Sequence, residues 1–259
     1  MICRFATLFR PSANKKTTIL LLLSVVFFFG VAPRTASAQK KYSHTFPAGR
    51  EIRIQLMNRT GTVTVEGWDR NEAYIYAYRE SPAADIEPEI VGDTININLV
   101  KDNQGKEVGN VNFTIRVPYY SKVDIETKIG NLSVSNISGA LVRAHIGTEG
   151  DITLTNIGAS NVSADNVIGD IFYDGVVQEG GNYRFMSMRG NINIRIPFES
   201  SFRLVATAPS TRNISLGSFT NGSGVNYLGD GRRVVGTFGR GGAVLQVTNQ
   251  RGSISFLRR

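Results

Sequence analysis

The sequence predicts an all-β protein built as a β-solenoid, a coil of about 20-residue repeats with two strands in each. Three observations lead to this fold. Val, Ile, Thr, Tyr and Phe alternate with polar residues over short runs bounded by Gly, Asn and Asp, which is typical of strands joined by tight turns. A phrase of glycine followed by alternating polar and apolar residues recurs at a nearly constant interval. No stretch has the period of an amphipathic helix.

Residues 1–38 are predicted to be a secretory signal peptide. Lys15 and Lys16 precede an apolar run, Thr17–Ala32, and Ala36–Ala38 supplies small residues for cleavage. A charged start, an apolar middle and a small-residue end define such a signal. The apolar run is shorter than the about 20 residues of a membrane span. We therefore expect cleavage, with an uncleaved anchor as the alternative, and no integral membrane span after cleavage.

Cleavage would remove part of the positive charge. Of the 29 Lys and Arg residues, 24 follow residue 38, as do all 21 acidic residues, so the net charge falls from +8 to +3. These charges look scattered along the sequence, whereas nucleic-acid binding needs a clustered basic face. We therefore expect no nucleic-acid partner. Cys3 is the only cysteine and would leave with the signal, so we expect no disulfide, no thiol chemistry and no lipid anchor.

Residues 39–118 lack the repeat period and are expected to form a lead-in to the coil. Short runs such as Thr62–Glu66 and Ala73–Tyr78 predict hairpins or a meander. This region would cap the first repeat, because an open strand edge invites aggregation. The predicted boundaries are therefore 39–118 for the cap and 119–259 for the repeats, with one continuous domain over 39–259 as the alternative.

The repeats are marked by a glycine at the start of each phrase. These glycines are Gly61, Gly130, Gly150, Gly169, Gly190 and Gly252. From Gly130 to Arg212, which replaces the glycine in one phrase, the steps are 20, 19, 21 and 22 residues, and such a period signals stacked units. Glycine is expected at corners where φ is positive, so Arg212 predicts a distorted corner.

Apolar residues at equivalent positions should stack inward. The predicted stack contains Leu132, Ile152, Ile171, Ile192 and Ile214. A second series of apolar pairs occupies the other half of each repeat, so each repeat holds two strands whose side chains alternate in and out. One repeat cannot bury this face alone, but stacked repeats can. An antiparallel β-sandwich is the competing architecture, since it also has many short strands at regular spacing.

The segment Gly61–Arg70, with the sequence GTVTVEGWDR, resembles a known family. It is similar to the bacterial "putative adhesin" domain family of unknown function, which is related to the head domains of auto-transporter adhesins. Members have a strand, an Asn-x-x-Gly turn and a Gly-Trp-Asp-Arg segment, here Ile52–Leu56, Asn58–Gly61 and Gly67–Arg70. The resemblance covers nearly all of residues 44–259. It implies an exported β-rich protein and supplies no catalytic residues, and a fold does not by itself fix a function.

Aromatic residues are the candidates for a ligand surface. Tyr74, Tyr76 and Tyr78 share one face of a predicted strand, where they would contact a carbohydrate or pack against a neighbouring sheet. Trp68, the only tryptophan, takes the position that Ile157 takes after its own glycine. This equivalence predicts that Trp68 belongs to the structural core with Ile152, Ile171 and Ile192, and a sugar-stacking platform is the alternative.

The polar residues indicate turns rather than chemistry. Asp151 and Asp170 follow their glycines, where other repeats carry Asn, and the calcium-binding nonapeptide of β-rolls is absent. His44 and His145, the only histidines, have no accompanying nucleophile motif. We therefore expect no metal site, no cofactor and no enzymatic activity.

The function predicted from these features is a non-catalytic structural or interaction module of the cell envelope. It would present its outward faces to a glycan, a wall component or a protein in the periplasm, at the cell surface or outside the cell. A polysaccharide-acting β-helical enzyme is one alternative, and it would need a cleft with convergent charged residues. An outer-membrane barrel is another, but its strands have about ten residues, longer than the runs in this sequence.

Overall fold

A computed structural model describes residues 40–221 and 223–259, so the predicted signal peptide lies outside the described residues. Gln39–Arg259 form one compact unit, which is all-β with two large sheets of ten and eleven strands. The only helical segments described are a short helix, α1 (Leu99–Asp102), and a 3₁₀ turn (Gly217–Asn221). Within this described part, no helix has the length and apolar character needed to cross a membrane.

The strands are numbered along the chain. They are β1 (Lys41–Pro47), β2 (Arg53–Thr60), β3 (Val63–Trp68), β4 (Glu72–Arg79), β5 (Glu89–Val91), β6 (Thr94–Asn98), β7 (Val111–Pro118), β8 (Lys122–Ile129), β9 (Leu132–Ser135), β10 (Leu141–Glu149), β11 (Ile152–Ile157), β12 (Asn161–Ile168), β13 (Ile171–Gly175), β14 (Asn182–Arg189), β15 (Ile192–Ile196), β16 (Phe202–Thr207), β17 (Ile214–Ser215), β18 (Ser223–Leu228), β19 (Arg233–Phe238), β20 (Ala243–Arg251) and β21 (Ile254–Arg258). Sheet A has the order β1-β4-β7-β3-β9-β11-β13-β15-β21-β17, and sheet B has the order β18-β19-β16-β20-β14-β12-β10-β8-β2-β6-β5.

The chain alternates between the two sheets from β8 to β15. Each strand from β8 to β13 pairs in parallel with the strand two positions further along the chain, as β10 does with β12 and β11 with β13. Equivalent residues of consecutive repeats are therefore in register, for example Val142 with Val162 and Ile152 with Ile171. The 19–22-residue period of the sequence thus corresponds to one strand in each sheet plus two corners.

The core fills the space between the inward faces of the two sheets. Ile152, Ile171 and Ile192 are fully buried and lie on neighbouring strands of sheet A. Opposite them, Phe185 of sheet B packs against Tyr173 of sheet A, with ring centroids 5.0 Å apart. Because burial of one such apolar side chain contributes about 1.5–3 kcal/mol, a row of them along each sheet holds the strands in one register.

The order of the last repeats differs from the prediction. The chain ends by inserting β20 between β14 and β16, and β21 between β15 and β17. Ile254 therefore pairs with both Ile192 and Ile214, so the prediction that Ile214 lies next to Ile192 was wrong. The phrases at Gly252 and Arg212 carry the same alternation, and either would pair with β15. The inserted repeat is covered on both sides, which leaves the antiparallel strands β19 and β18 at the end of sheet B.

Residues 39–118 contribute strands to both sheets. β2 and β3 pair in parallel with β8 and β9, and β6 and β7 pair in parallel with the other sides of β2 and β3. Antiparallel strands then follow, with β4 and β1 beyond β7 in sheet A and β5 beyond β6 in sheet B. Parallel pairing therefore extends into the region that lacks the sequence period, and antiparallel pairing begins only beyond β6 and β7.

The glycines stack along one corner of the molecule. All six have positive φ, for example 121° at Gly130 and 147° at Gly150. A Cβ atom on Gly150 would overlap the carbonyl oxygen of Gly130, and one on Gly169 would overlap that of Gly150. Glycine is therefore needed both for its backbone conformation and because consecutive corners touch main chain to main chain. Arg212 has a φ of 58° and an exposed side chain at the terminal repeat.

Buried polar side chains line the inside of this corner. Asn166, Ser187 and Asn249 are almost fully buried and occupy equivalent positions on neighbouring strands of sheet B. Their donor atoms reach glycine carbonyl oxygens, Asn166 to Gly150 (3.2 Å), Ser187 to Gly169 (3.3 Å) and Asn249 to Gly190 (2.7 Å). These side chains satisfy main-chain acceptors that the tight corner withdraws from water.

Candidate functional site

Three tyrosines lie on the outer face of sheet A. Tyr74, Tyr76 and Tyr78 alternate along β4 with residues that are fully buried, so their side chains point away from the core. Tyr78 has 36% of its surface exposed, and the other two are half-buried between neighbouring strands. The sequence left open whether these tyrosines face outward or pack against a neighbouring sheet, and in the structure they face outward.

Charged and hydroxyl side chains surround the tyrosines. Tyr74 is in register with Arg116 of β7, and Arg116 is in register with Glu66 of β3. The Arg116 Nε atom lies 3.1 Å from the Glu66 carboxylate. On the other side, the Ser43 hydroxyl of β1 donates to the Tyr74 hydroxyl oxygen at 3.2 Å. The row across four strands therefore offers a ring face, a guanidinium and hydrogen-bonding groups side by side.

Trp68 belongs to this outer face, and its prediction as core was wrong. Its side chain is half-buried, whereas Val65 on the same strand is fully buried. The reason is local geometry. In β11, Asn156 has a positive φ of 53° and the pairing register shifts before Ile157, which turns Ile157 inward. β3 pairs regularly to its end, so Trp68 keeps the outward direction set by the alternation.

Arginine side chains pack on the indole ring of Trp68. The guanidinium carbon of Arg70 lies 5.0 Å from the ring centroid, and that of Arg116 lies 5.8 Å from it. Both distances are within the range of cation–π attraction. The indole Nε1–H donates to the main-chain oxygen of Glu72 at 2.8 Å. These contacts fix the ring while part of its surface stays exposed. We call Trp68, Tyr74, Tyr76, Tyr78 and Arg116 the aromatic face.

A polar depression of about 300 Å³ lies on the outer face of sheet B. Its lining residues are Gln55, Leu56, Met57, Asn96, Asn98, Asp124, Glu126 and Arg143. Asp124 accepts a hydrogen bond from Arg53 at 2.8 Å, and Arg143 lies 3.5 Å from Asp124 and 3.4 Å from Glu126. Both carboxylates are thus engaged by guanidinium groups. The depression brings together charged residues, but its carboxylates form ion pairs rather than an unpaired acid and base.

The aspartates after the glycines bind the main chain. Asp151 Oδ1 accepts from the N–H of Asp170 at 2.8 Å, and Asp170 Oδ1 accepts from the N–H of Asn191 at 2.7 Å. Asn131 serves Asp151 in the same way at 3.0 Å. Within residues 40–221 and 223–259, no group of three or more His, Cys, Asp or Glu side chains is placed to hold a metal ion. These residues therefore act as corner caps.

The histidines are far apart in the strand order. His44 is exposed on β1 at the edge of sheet A, with its ring 4.3 Å from that of Phe46. His145 lies on β10 in sheet B, in register with Glu126 of β8 and Asp165 of β12. They lie in different sheets and do not form one site.

Comparisons with known proteins give structural likeness only. No family model and no curated protein matches the chain. It is similar to the structure of a "putative cell adhesion protein" from Clostridium sporogenes, at 11% identity and a TM-score of 0.46, covering 85% of this chain and 100% of that one. A "putative adhesin" from Bacteroides fragilis is similar at 11% identity and a TM-score of 0.35 over 86% and 98% of the two chains. A "putative lipid binding protein" from Parabacteroides distasonis is similar at 9% identity and a TM-score of 0.37, covering 85% of this chain and 95% of that one.

Proposed function

We propose that this chain is an exported, non-catalytic, adhesin-like module of the cell envelope that binds an envelope glycan through its aromatic face. The supporting observation is the outward placement of Trp68, Tyr74, Tyr76 and Tyr78 around Arg116. Aromatic rings combine a large apolar contact area with polar groups at the ring edge. A sugar ring has the complementary surface, with apolar C–H faces and hydroxyl groups at its rim.

The proposal includes a β-solenoid architecture. Its support is the alternation of strands between two sheets from β8 to β15, where neighbouring strands of each sheet are parallel. Such a scaffold holds side chains at fixed spacings of about 4.8 Å between strands. A flat, rigid surface of this kind suits repeated weak contacts along a polymer better than capture of one small molecule in a deep pocket. Export is proposed from the signal-like segment 1–38.

A glycan and peptidoglycan-fragment array tests this function. The purified protein is compared with a Tyr74→Ser, Tyr76→Ser, Tyr78→Ser variant, and with Phe172→Ser as the matched control. Phe172 is half-buried on the outer face of the same sheet, but on β13, away from the aromatic face. We expect binding to at least one glycan class, at least tenfold weaker in the triple variant and unchanged in the control. Absence of glycan binding by the folded wild-type protein would contradict the proposal and favour a protein partner.

A further inference from the structure

The charge of the molecule changes sign along the chain, which corrects the expectation that the charges are scattered. Residues 39–180 contain 13 basic and 19 acidic residues, a net charge of −6. Residues 181–259 contain eleven arginines, no lysine and two acidic residues, a net charge of +9. Ten of these eleven arginines are exposed and one is half-buried. The small net charge of +3 over residues 39–259 is therefore the sum of an acidic region and a basic region, and the basic region lies at one end of the strand order.

Two of these arginines stand side by side at the glycine corner. Arg189 at the end of β14 is in register with Arg251 at the end of β20. Their main-chain oxygens accept hydrogen bonds from Gly169 (2.9 Å) and Gly190 (3.0 Å), so the corner fixes both backbones. Both side chains are exposed, and neither forms an ion pair with any described residue. Like charges on directly neighbouring strand positions are destabilising, and an anion bound between the two guanidinium groups would relieve this repulsion.

The pair borders a cavity of about 370 Å³. Its lining residues are Val167, Ile168, Met188, Arg189, Ser210, Gln250 and Arg251. This volume is at the lower end of the range for small-molecule sites. Two guanidinium groups would bind a carboxylate or phosphate through charge-assisted hydrogen bonds. Gln250 and Ser210 add neutral hydrogen-bonding groups, while Ile168 and Met188 offer an apolar surface beside the charges.

We propose that this cavity, the arginine pocket, binds a sugar that carries an acidic group. The acidic group would lie between Arg189 and Arg251, hydroxyl groups would bond Gln250 and Ser210, and a C–H face would contact Met188. None of the described residues that line the cavity is aromatic, so the bases of single-stranded nucleic acid would lack the stacking surfaces that such ligands use. A sugar needs only the apolar and hydrogen-bonding groups that are present.

The neighbouring groove sets the direction of the ligand. A second cavity of about 340 Å³ shares Ile168 with the arginine pocket and continues along the glycine corner past Glu149 and Asp151. Ile168 of β12 is in register with Glu149 of β10 on one side and with Arg189 of β14 on the other. The charge beside the groove therefore changes from negative at β10 to positive at β14. A ligand with one acidic end would be held at the arginine pocket, and its neutral part would extend along the groove.

Binding of cellobiouronate, a disaccharide with one carboxylate, by the full chain tests the proposal. Its methyl ester is the neutral control, and hexathymidylate is the single-stranded nucleic-acid control. Binding by an Arg189→Gln, Arg251→Gln variant is compared with that of the control Arg203→Gln, Arg233→Gln. Both control arginines are exposed in the same basic region, on sheet B. We expect the ester to bind at least tenfold more weakly than cellobiouronate, and the pocket variant to lose that difference while the control keeps it.

Three outcomes would overturn the proposal. They are no binding of cellobiouronate by the wild-type protein, an equal loss of the difference between acid and ester in the control variant, and binding of hexathymidylate as tight as that of the sugar.

A second readout is independent of the ligand, because removing one of two repelling charges should raise the melting temperature of Arg251→Gln slightly at low salt. The Tyr74, Tyr76 and Tyr78 variant should bind cellobiouronate normally, so failure of this proposal and failure of the proposed function are distinguishable.

Discussion

The main-chain N–H of Asp170 donates a hydrogen bond to the Oδ1 atom of Asp151, 2.8 Å away in the preceding repeat. The same bond recurs from Asn191 to Asp170 at 2.7 Å and from Ser253 to Asn191 at 3.1 Å. A short side chain with an acceptor oxygen therefore follows Gly130, Gly150, Gly169 and Gly190 and bonds the next corner. This ladder ties consecutive corners together and accounts for acidic residues that would otherwise suggest a metal or catalytic site.

The ladder predicts different effects for two substitutions of Asp151. Asp151→Asn keeps the acceptor oxygen and should leave stability nearly unchanged, since Asn occupies the equivalent positions 131 and 191. Asp151→Ala removes the bond to Asp170 and should lower the free energy of unfolding by about 0.5–1.5 kcal/mol. Urea unfolding followed by circular dichroism measures both. Equal stability of the two variants would mean that the ladder contributes nothing.

The glycine corner predicts a large effect of one added methyl group. Gly150→Ala should lower the free energy of unfolding by clearly more than the about 1–2 kcal/mol that a positive φ alone costs. The additional cost arises because the Cβ would overlap the Gly130 carbonyl oxygen. Gly92→Ala is the matched control, since Gly92 has a φ of 58° and open space around it. Thermal unfolding should rank Gly150→Ala well below Gly92→Ala, and the reverse order would contradict close corner packing.

The inward and outward faces of sheet A predict opposite tolerance to charge. Ile152→Asp and Ile192→Asp place a carboxylate where no surface is exposed, and both should abolish folding because an unpaired buried charge is too costly. Thr153→Asp adds the same group to the outward face, where Thr153 is half-exposed, and should be nearly silent. Far-ultraviolet circular dichroism and soluble yield distinguish them. Folded, soluble Ile152→Asp would show that the faces are assigned wrongly.

The buried tyrosines predict a loss of stability at alkaline pH. Burial raises the pKa of Tyr173 well above its ordinary value, and burial likewise raises the pKa of Tyr183. Above a pH of about 10, the unfolded chain loses these protons while the folded chain retains them. The stability that is fully present below that pH should therefore fall as pH rises, and the fall should continue until the pH reaches the raised pKa of each tyrosine in the folded chain.

Phenylalanine substitutions provide the control for this alkaline effect. Tyr173→Phe loses the hydrogen bond to the main-chain oxygen of Val176 at 3.1 Å, so its stability at pH 8 should be lower by about 1 kcal/mol. The stability of Tyr173→Phe should also fall less steeply than that of the wild-type protein between pH 9 and 11 (roughly one unit on each side of the ordinary tyrosine pKa). A decline equal to that of the wild-type protein would assign the alkaline transition to other groups.

The sequence predicted the elements that follow from local periodicity. The strands of each repeat, the inward isoleucines and the corner glycines all depend on alternation within a few residues, which the sequence displays directly. Trp68 was misplaced because its direction depends on a local shift of register: β11 has the shift before Ile157 and β3 does not. The positive φ of Asn156 accompanies this shift, and β3 lacks an Asn at the equivalent position.

The sequence pattern could not predict the order of the last repeats or the arginine pocket. β17 and β21 carry the same alternation, so only the path of the intervening chain decides which of them lies next to β15. Arg189 and Arg251 are 62 positions apart in the sequence and become neighbours only because the last repeat is inserted. A count of charge before and after residue 180 would have revealed the basic region, although not the pocket.

Disulfide trapping tests the inserted last repeat, on which the pairing of Arg189 with Arg251 depends. Asn193 is in register with Ser255, and Ser215 is in register with the other side of Ser255. Adjacent strands lie about 4.8 Å apart, within the Cα separation of a disulfide, whereas a second strand away is too far. Under mild oxidation, Asn193→Cys with Ser255→Cys should crosslink and Asn193→Cys with Ser215→Cys should not. Crosslinking of the second pair but not the first would contradict the insertion and the arginine pocket built on it.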